Sequence, residues 1–179
     1  VIFIIPVLTM RSYAEERRGR TDQLLMSAPV SMLSIALGKF FAIMTLFAVG
    51  LSFSLIYVIV LALLGQFDFL VVLGNIVGML VSASAFAAIG MLISALTESQ
   101  IIACIVSYAV LLGLWLIGSA QSYITNEAAK ALVGWLSVSK RFAEFSMGIF
   151  DLATVVYYLS ICAFFIYLVA LITESRRHA

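Results

Sequence analysis

The chain has 179 residues, 64% of them hydrophobic and only 11% charged, and its ten Lys and Arg against nine Asp and Glu leave a formal charge of +1. Together with a mean hydropathy of +1.19, this composition excludes a soluble globular domain and points to an integral membrane protein, all-α and built as a polytopic helix bundle. The lipid bilayer is its expected surround, and no nucleic-acid partner is expected.

The chain opens on an apolar run, Val1 to Met10, that is too short to cross a bilayer alone, since a spanning helix needs about 20 residues. It reads as the end of a span entered partway, so the bundle is expected to be N-terminally incomplete. A signal peptide is the competing reading, but no basic region precedes the run and no small-residue cleavage site follows it.

A compact charged stretch follows between Met10 and Lys39. Arg11, Arg17, Arg18 and Arg20 with Glu15, Glu16 and Asp22 put more than a third of the chain's charged residues here, which implies contact with something outside the bilayer. Thr21 is a suitable N-cap, and Asp22 and Gln23 suit the first turn, where exposed amides favour acceptors and negative charge. Leu24 and Leu25 then present apolar knobs on a short helix, Thr21 to Ser27, that Pro29 ends. Exposed leucines on a charged loop are what a docking element needs. The plainer alternative is a surface helix that only orients the protein by its arginines, a role that requires the charges but not the leucines.

Residues 40–67, 69–97, 99–126 and 152–173 then contain no Asp, Glu, Lys or Arg. A charge at a helix centre costs about 2.5 to 3.5 kcal/mol on insertion, so these windows mark the spans, expected at 40–64, 70–96, 101–118 and 154–173. In the second of them Gly74, Gly78 and Ser82, then Gly90 and Ser94, recur at four-residue intervals. Small residues at that spacing let helices approach closely, either within the subunit or across a dimer interface.

The segment 119–153 is too long for a hairpin and too apolar for a solvated loop. Leu132, Trp135, Leu136, Phe142, Phe145 and Phe150 recur along it at loosely helical intervals, as in a helix lying at the interface or a re-entrant element closing the outer end of a pathway. A short tail, 174–179, ends the chain. One side of this topology collects Arg11, Arg17, Arg18, Arg20, Lys39, Arg176 and Arg177, and the other Lys130, Lys140 and Arg141. The excess places the charged loop and the C-terminus in the cytoplasm.

Enzyme readings find little support. Glu15, Glu16 and Arg20 fit the EExxxR pattern of intramembrane prenyl-protein proteases, but that site needs histidines on later helices and the only one is His178, beside the last residue. Cys104 and Cys162 stand alone in separate spans, without metal-ligand spacing, and no metal or other cofactor is expected. There is no GxxxxGK[ST] phosphate loop, so ATP-driven work requires an ATPase on another polypeptide. The spans also lack the ionisable residues that ion-coupled transport commonly uses.

The loop MRSYAEERRGRTDQLLMSAPVSMLSIALGK resembles the cytoplasmic loop of type-2 ABC export permeases. The match comprises Met10, Arg11, Glu15, Glu16, Arg17, Arg18, Thr21, Asp22, Gln23, Leu24, Leu25, Pro29, Val30, Ser31, Ile35, Gly38 and Lys39, while Gly19-Arg20 departs from the pattern at a local turn. The turn LTESQ at 96–100 and the run from Arg141 to Arg177 are similar to the gliding-motility and copper-processing branch of that family. The resemblance implies the type-2 ABC exporter permease fold, with the first helix and part of the second lacking here. It further implies a homo- or heterodimer with a second permease subunit, two copies of a cytoplasmic ABC ATPase subunit, and residence in the bacterial cytoplasmic membrane. By position, Thr21 to Ser27 would be the coupling helix that docks on the ATPase, and Arg11 to Arg18 an amphipathic connector at the membrane surface. The ATPase-coupling residues it implies are Glu15, Glu16, Arg17, Arg18, Thr21, Asp22, Gln23, Leu24, Leu25 and Ser27. A membrane scaffold without transport is the alternative function, and an ion-coupled transporter a more distant one.

Overall fold

The computed structural model describes residues 1–19, 30–65, 69–120, 142, 145 and 151–177. Among them the chain is all-helical: α1 is Ile4–Thr9, α2 Arg11–Arg18, α3 Met32–Leu64, α4 Phe69–Leu96, α5 Gln100–Ala120 and α6 Leu152–Arg177. The last four are long and apolar enough to cross a membrane. This is a multi-pass helix bundle.

Two of the helices, α3 and α6, run past their charge-free windows. α3 begins at Met32, eight residues before the expected span start, because Ser31 caps it: the residue is extended and its hydroxyl accepts from the Ser34 amide at 3.2 Å. Lys39 therefore lies inside a helix rather than at the edge of a loop. At α6 the carboxylate of Asp151 accepts from the Ala153 amide at 3.0 Å and from the Thr154 hydroxyl at 3.1 Å, which starts the helix just ahead of its apolar run.

Around these starts the bundle is arranged on α4, which touches all five other elements and pairs most extensively with α6. In α4 61% of the most apolar window is buried, against 11% to 28% in the other spans. The cause is size. From Ser82 to Ala95 it carries Ser, Ala or Gly at 82–85, 87, 88, 90, 94 and 95, and every described position there is buried except Leu92. A helix this narrow can be approached from all sides.

Its neighbours bury one stripe each. Ala36, Phe40, Ile43 and Phe47 of α3 are buried, at spacings of three and four residues, as are Ala103, Ser107 and Leu111 of α5, and Thr154, Tyr158, Cys162, Ile166 and Val169 of α6. A side-chain hydrogen bond joins Cys162 to Ser84 across the α4 and α6 contact. The other faces are apolar and exposed, with Phe41, Phe53, Tyr57 and Leu63 on α3, Ile101, Ile105 and Trp115 on α5, and Val156 and Phe164 on α6. Such faces suit lipid, where apolar exposure carries no cost.

Gly74, Gly78, Ser82, Gly90 and Ser94 are all buried inside this chain. A Cβ on Gly78 would come within 2.8 Å of Phe145 Cβ, and one on Gly90 within 2.9 Å of Thr9 Cβ. Phe145, from the segment read as interfacial or re-entrant, is 1% exposed, so at that residue the segment reaches the bundle core. The remainder of 121–150 apart from Phe142 lies outside the described residues.

Two glycine substitutions separate packing from propensity. Gly90→Ala should destabilise the folded protein by about 1 to 3 kcal/mol through overpacking against Thr9. Gly50→Ala, where a Cβ meets nothing within 4 Å, should be neutral or stabilising by up to about 1 kcal/mol. Unfolding in detergent micelles, monitored by circular dichroism against added SDS, measures both.

Candidate functional site

The charged residues of α2 meet Lys39 and Glu98 at one end of the bundle, where α2 lies across the start of α3 and the end of α4. α2 is a two-turn helix over the residues read as a connector, Arg11 to Arg18. Eight residues make a helix that is marginal alone, so its stability must come from outside. Its N-cap position, Met10, has no side-chain acceptor. Ser94, one of the small residues of α4, supplies one instead: its hydroxyl oxygen accepts from the amides of Tyr13 at 3.1 Å and Ala14 at 3.2 Å and donates to the Met10 carbonyl at 3.1 Å. A capping bond normally made by a neighbour in sequence is made here by a helix some 80 residues away.

Two cations then fasten the body of α2. Lys39, reaching back from the second turn of α3, ion-pairs with Glu16, donates to the Ser12 carbonyl at 2.6 Å and stands 3.8 Å from the centre of the Tyr13 ring. Burial, with the Glu16 charge beside it, pushes the Tyr13 phenol well above its ordinary pKa, so the ring stays neutral and offers its π face to the ammonium. On the other side Arg17 donates to Glu98 at 2.7 Å and to the Ala95 carbonyl at 3.3 Å. The second contact places a guanidinium at the C-terminus of α4, where the helix dipole favours positive charge.

These pairs differ in strength. The side chains of Lys39 and Glu16 are 16% and 32% exposed, whereas Glu98 is 75% exposed beside Arg17 at 20%. Glu98 is thus largely in water, and exposed pairs contribute about 0.2 to 1 kcal/mol. Beside it Arg17, Arg18, Glu98 and Ser99 line an open hollow of about 510 Å³.

Of the residues singled out in the sequence, Glu16 and Arg17 are engaged in these contacts while Glu15 and Arg18 are exposed. Glu15 and Glu16, adjacent on α2, are thus differently placed, the first in solvent and the second against Lys39. Thr21, Asp22, Gln23, Leu24, Leu25 and Ser27 lie outside the described residues. Lys39 and Glu98 belong to the site although neither was read as part of it. Each is a lone charge beside a long uncharged run, a position that in a membrane protein calls for a partner. A second hollow, apolar and about 290 Å³, opens between Phe3, Met79, Ser82, Phe86 and Trp115.

No protein-family model, curated protein or solved structure matches this chain.

Double-mutant cycles should rank the two ion pairs. Lys39→Met in the presence of Glu16 leaves a half-buried carboxylate, a backbone carbonyl and a ring face without their cation, a loss of about 2 kcal/mol. Arg17→Met with Glu98 should show a coupling under about 1 kcal/mol that fades as salt rises. SDS-induced unfolding of the four variants in each cycle reads both values.

Proposed function

We propose that the chain is the membrane-spanning permease subunit of an ATP-driven ABC transporter, an exporter, acting with a second permease subunit and two copies of a separate ABC ATPase subunit in the bacterial cytoplasmic membrane. The observation that carries the reading is the fastening of α2. Its carboxyl end leads directly into the segment that holds Thr21 to Ser27, and its body is tied to α3 through Lys39 and to α4 through Ser94 and Arg17. A load applied to that segment therefore reaches two spanning helices through short, mostly charge-assisted contacts.

The resemblance of Met10 to Lys39 to the type-2 ABC permease loop supplies the direction of the reading. In it the ATPase grips Leu24 and Leu25 of the coupling helix, and ATP-driven closure of the ATPases tilts the spans of two permeases to open a path outward. The charged end then faces the cytoplasm, in agreement with the distribution of Lys and Arg. The chain lacks a phosphate-binding loop of its own, so its part is mechanical: it receives motion and reshapes a pathway.

Replacing Leu24 and Leu25 with Glu should abolish or strongly reduce co-purification of the ATPase with the intact permease and uncouple ATP hydrolysis from substrate. An unchanged complex with unchanged coupling rejects the proposal. A scaffold without transport would instead yield intact protein with which no ATPase co-purifies at all.

A further inference from the structure

α1 and α2 are separated only at Met10, yet Met10 itself has φ −56° and ψ −32°, values inside the helical range. Nothing in its backbone prevents one helix from running through the joint, and neither Met10 nor its neighbours Thr9 and Arg11 is a proline or glycine. The interruption comes from the side, where Ser94 takes the amide of Tyr13 and bonds the carbonyl of Met10. A side chain set into the hydrogen-bond ladder is one of the few established causes of a helix break.

From this geometry we infer that the Met10 joint is a hinge with Ser94 as its pin, on which α2 swings relative to α4, and that the pair Arg17 and Glu98 is the latch that opens first. Two arrangements of the joint satisfy the same donors. With Ser94 withdrawn, the Tyr13 amide has the Thr9 carbonyl one turn back as acceptor, and the Ser94 hydroxyl has the Gly90 carbonyl of its own helix. The same protein makes such i to i−4 bonds from Thr9 to Ile5, Thr97 to Ile93 and Thr173 to Val169. The Tyr13 amide and the Ser94 hydroxyl thus keep a partner in either arrangement, so neither arrangement is strongly excluded, which is what a two-state element requires. One turn below the pin, Gly90 lies pressed on Thr9 and holds the axis in place.

The latch order follows from solvent. Glu98 is three-quarters exposed, so water replaces Arg17 at little cost. Lys39, with three partners on α2 and a flexible four-carbon stem, stays attached as α2 tilts. As a route by which load on the loop enters the bundle, the hinge rests on the transport reading above; as a property of the chain it does not.

The test uses the full chain in lipid nanodiscs, with Cys104 and Cys162 replaced by Ala and spin labels introduced in pairs. Glu15→Cys with Leu73→Cys, an exposed position of α4, reports α2 against α4; Val7→Cys with Ile105→Cys reports the body of the bundle. Ser94→Ala should shift or broaden the first distance distribution and leave the second unchanged. Glu98→Gln, like about 1 M salt on the parent protein, where the screening length is about 3 Å, should broaden only the first. A first distribution indifferent to Ser94→Ala overturns the pin, and movement of both distributions makes Ser94 a packing residue and no hinge. Indifference to both Glu98→Gln and salt overturns the latch. These results leave ATPase co-purification untouched, so failure of the hinge and failure of the transport reading are separately visible.

Discussion

Everything in this bundle depends on how thin α4 is over its last four turns. Gly90 admits Thr9 to a distance at which a Cβ could not remain, and Ser94, four residues on, meets the first amides of α2 with a side chain just long enough to reach them. Widen α4 at either point and α1 moves away, taking α2 out of reach of the Ser94 acceptor that lets so short a helix exist. The central position of α4 and the presence of α2 are therefore one constraint seen twice. In lipid this carries more weight than in water, because helices there gain nothing from burying apolar surface against one another and must gain from close contact and from satisfied polar groups.

The same logic explains why the charges gather at one end. A lysine in the second turn of a spanning helix is costly unless its ammonium is held, and Lys39 is held by a carboxylate, a carbonyl and an aromatic face at once. Glu16 and Tyr13 lie three residues apart on α2 and so share a face of it. Arg17, the next residue round, meets the carbonyl end of α4. An eight-residue helix thus serves as a junction block, with one face for α3 and another for α4.

Much of this architecture is legible in the sequence, and the parts that are not share a cause. Charge-free windows mark the four spans because bilayer cost acts on each residue by itself. The window that begins after Lys39 misplaces the start of α3, since the partners that make Lys39 tolerable inside a helix lie on α2, more than 20 residues earlier in the chain. Gly74, Gly78, Ser82, Gly90 and Ser94 stand out by spacing alone, but their spacing does not reveal which helix each one admits. That Ser94 acts as a cap is beyond sequence reading altogether, for capping is read from the residues beside a helix start and here the cap belongs to another span. The segment read as a docking helix, Thr21 to Ser27, lies outside the described residues, so that reading stands on its amino acids and on the resemblance.

Using up the small residues of α4 inside the chain has a consequence for assembly. Gly78 faces Phe145, Gly90 faces Thr9 and Ser94 faces α2, so among the described residues these three are taken up inside the chain and are not open to a second subunit. The dimer proposed above would then be built from the outward faces of α3, α5 and α6. These differ in kind. Around Gly38 and Gly50 on α3 and Gly113 on α5 a Cβ would meet nothing within 4 Å, so the backbone there can be approached closely, whereas elsewhere these helices present bulky residues, Phe41 and Phe53 on α3 and Ile101, Ile105 and Trp115 on α5. Close approach is what drives association in lipid and bulky aliphatic surface is what lipid itself already matches. Of the outward faces, the places around Gly38 and Gly50 of α3 and Gly113 of α5 are therefore those on which a second helix gains most over the lipid it displaces.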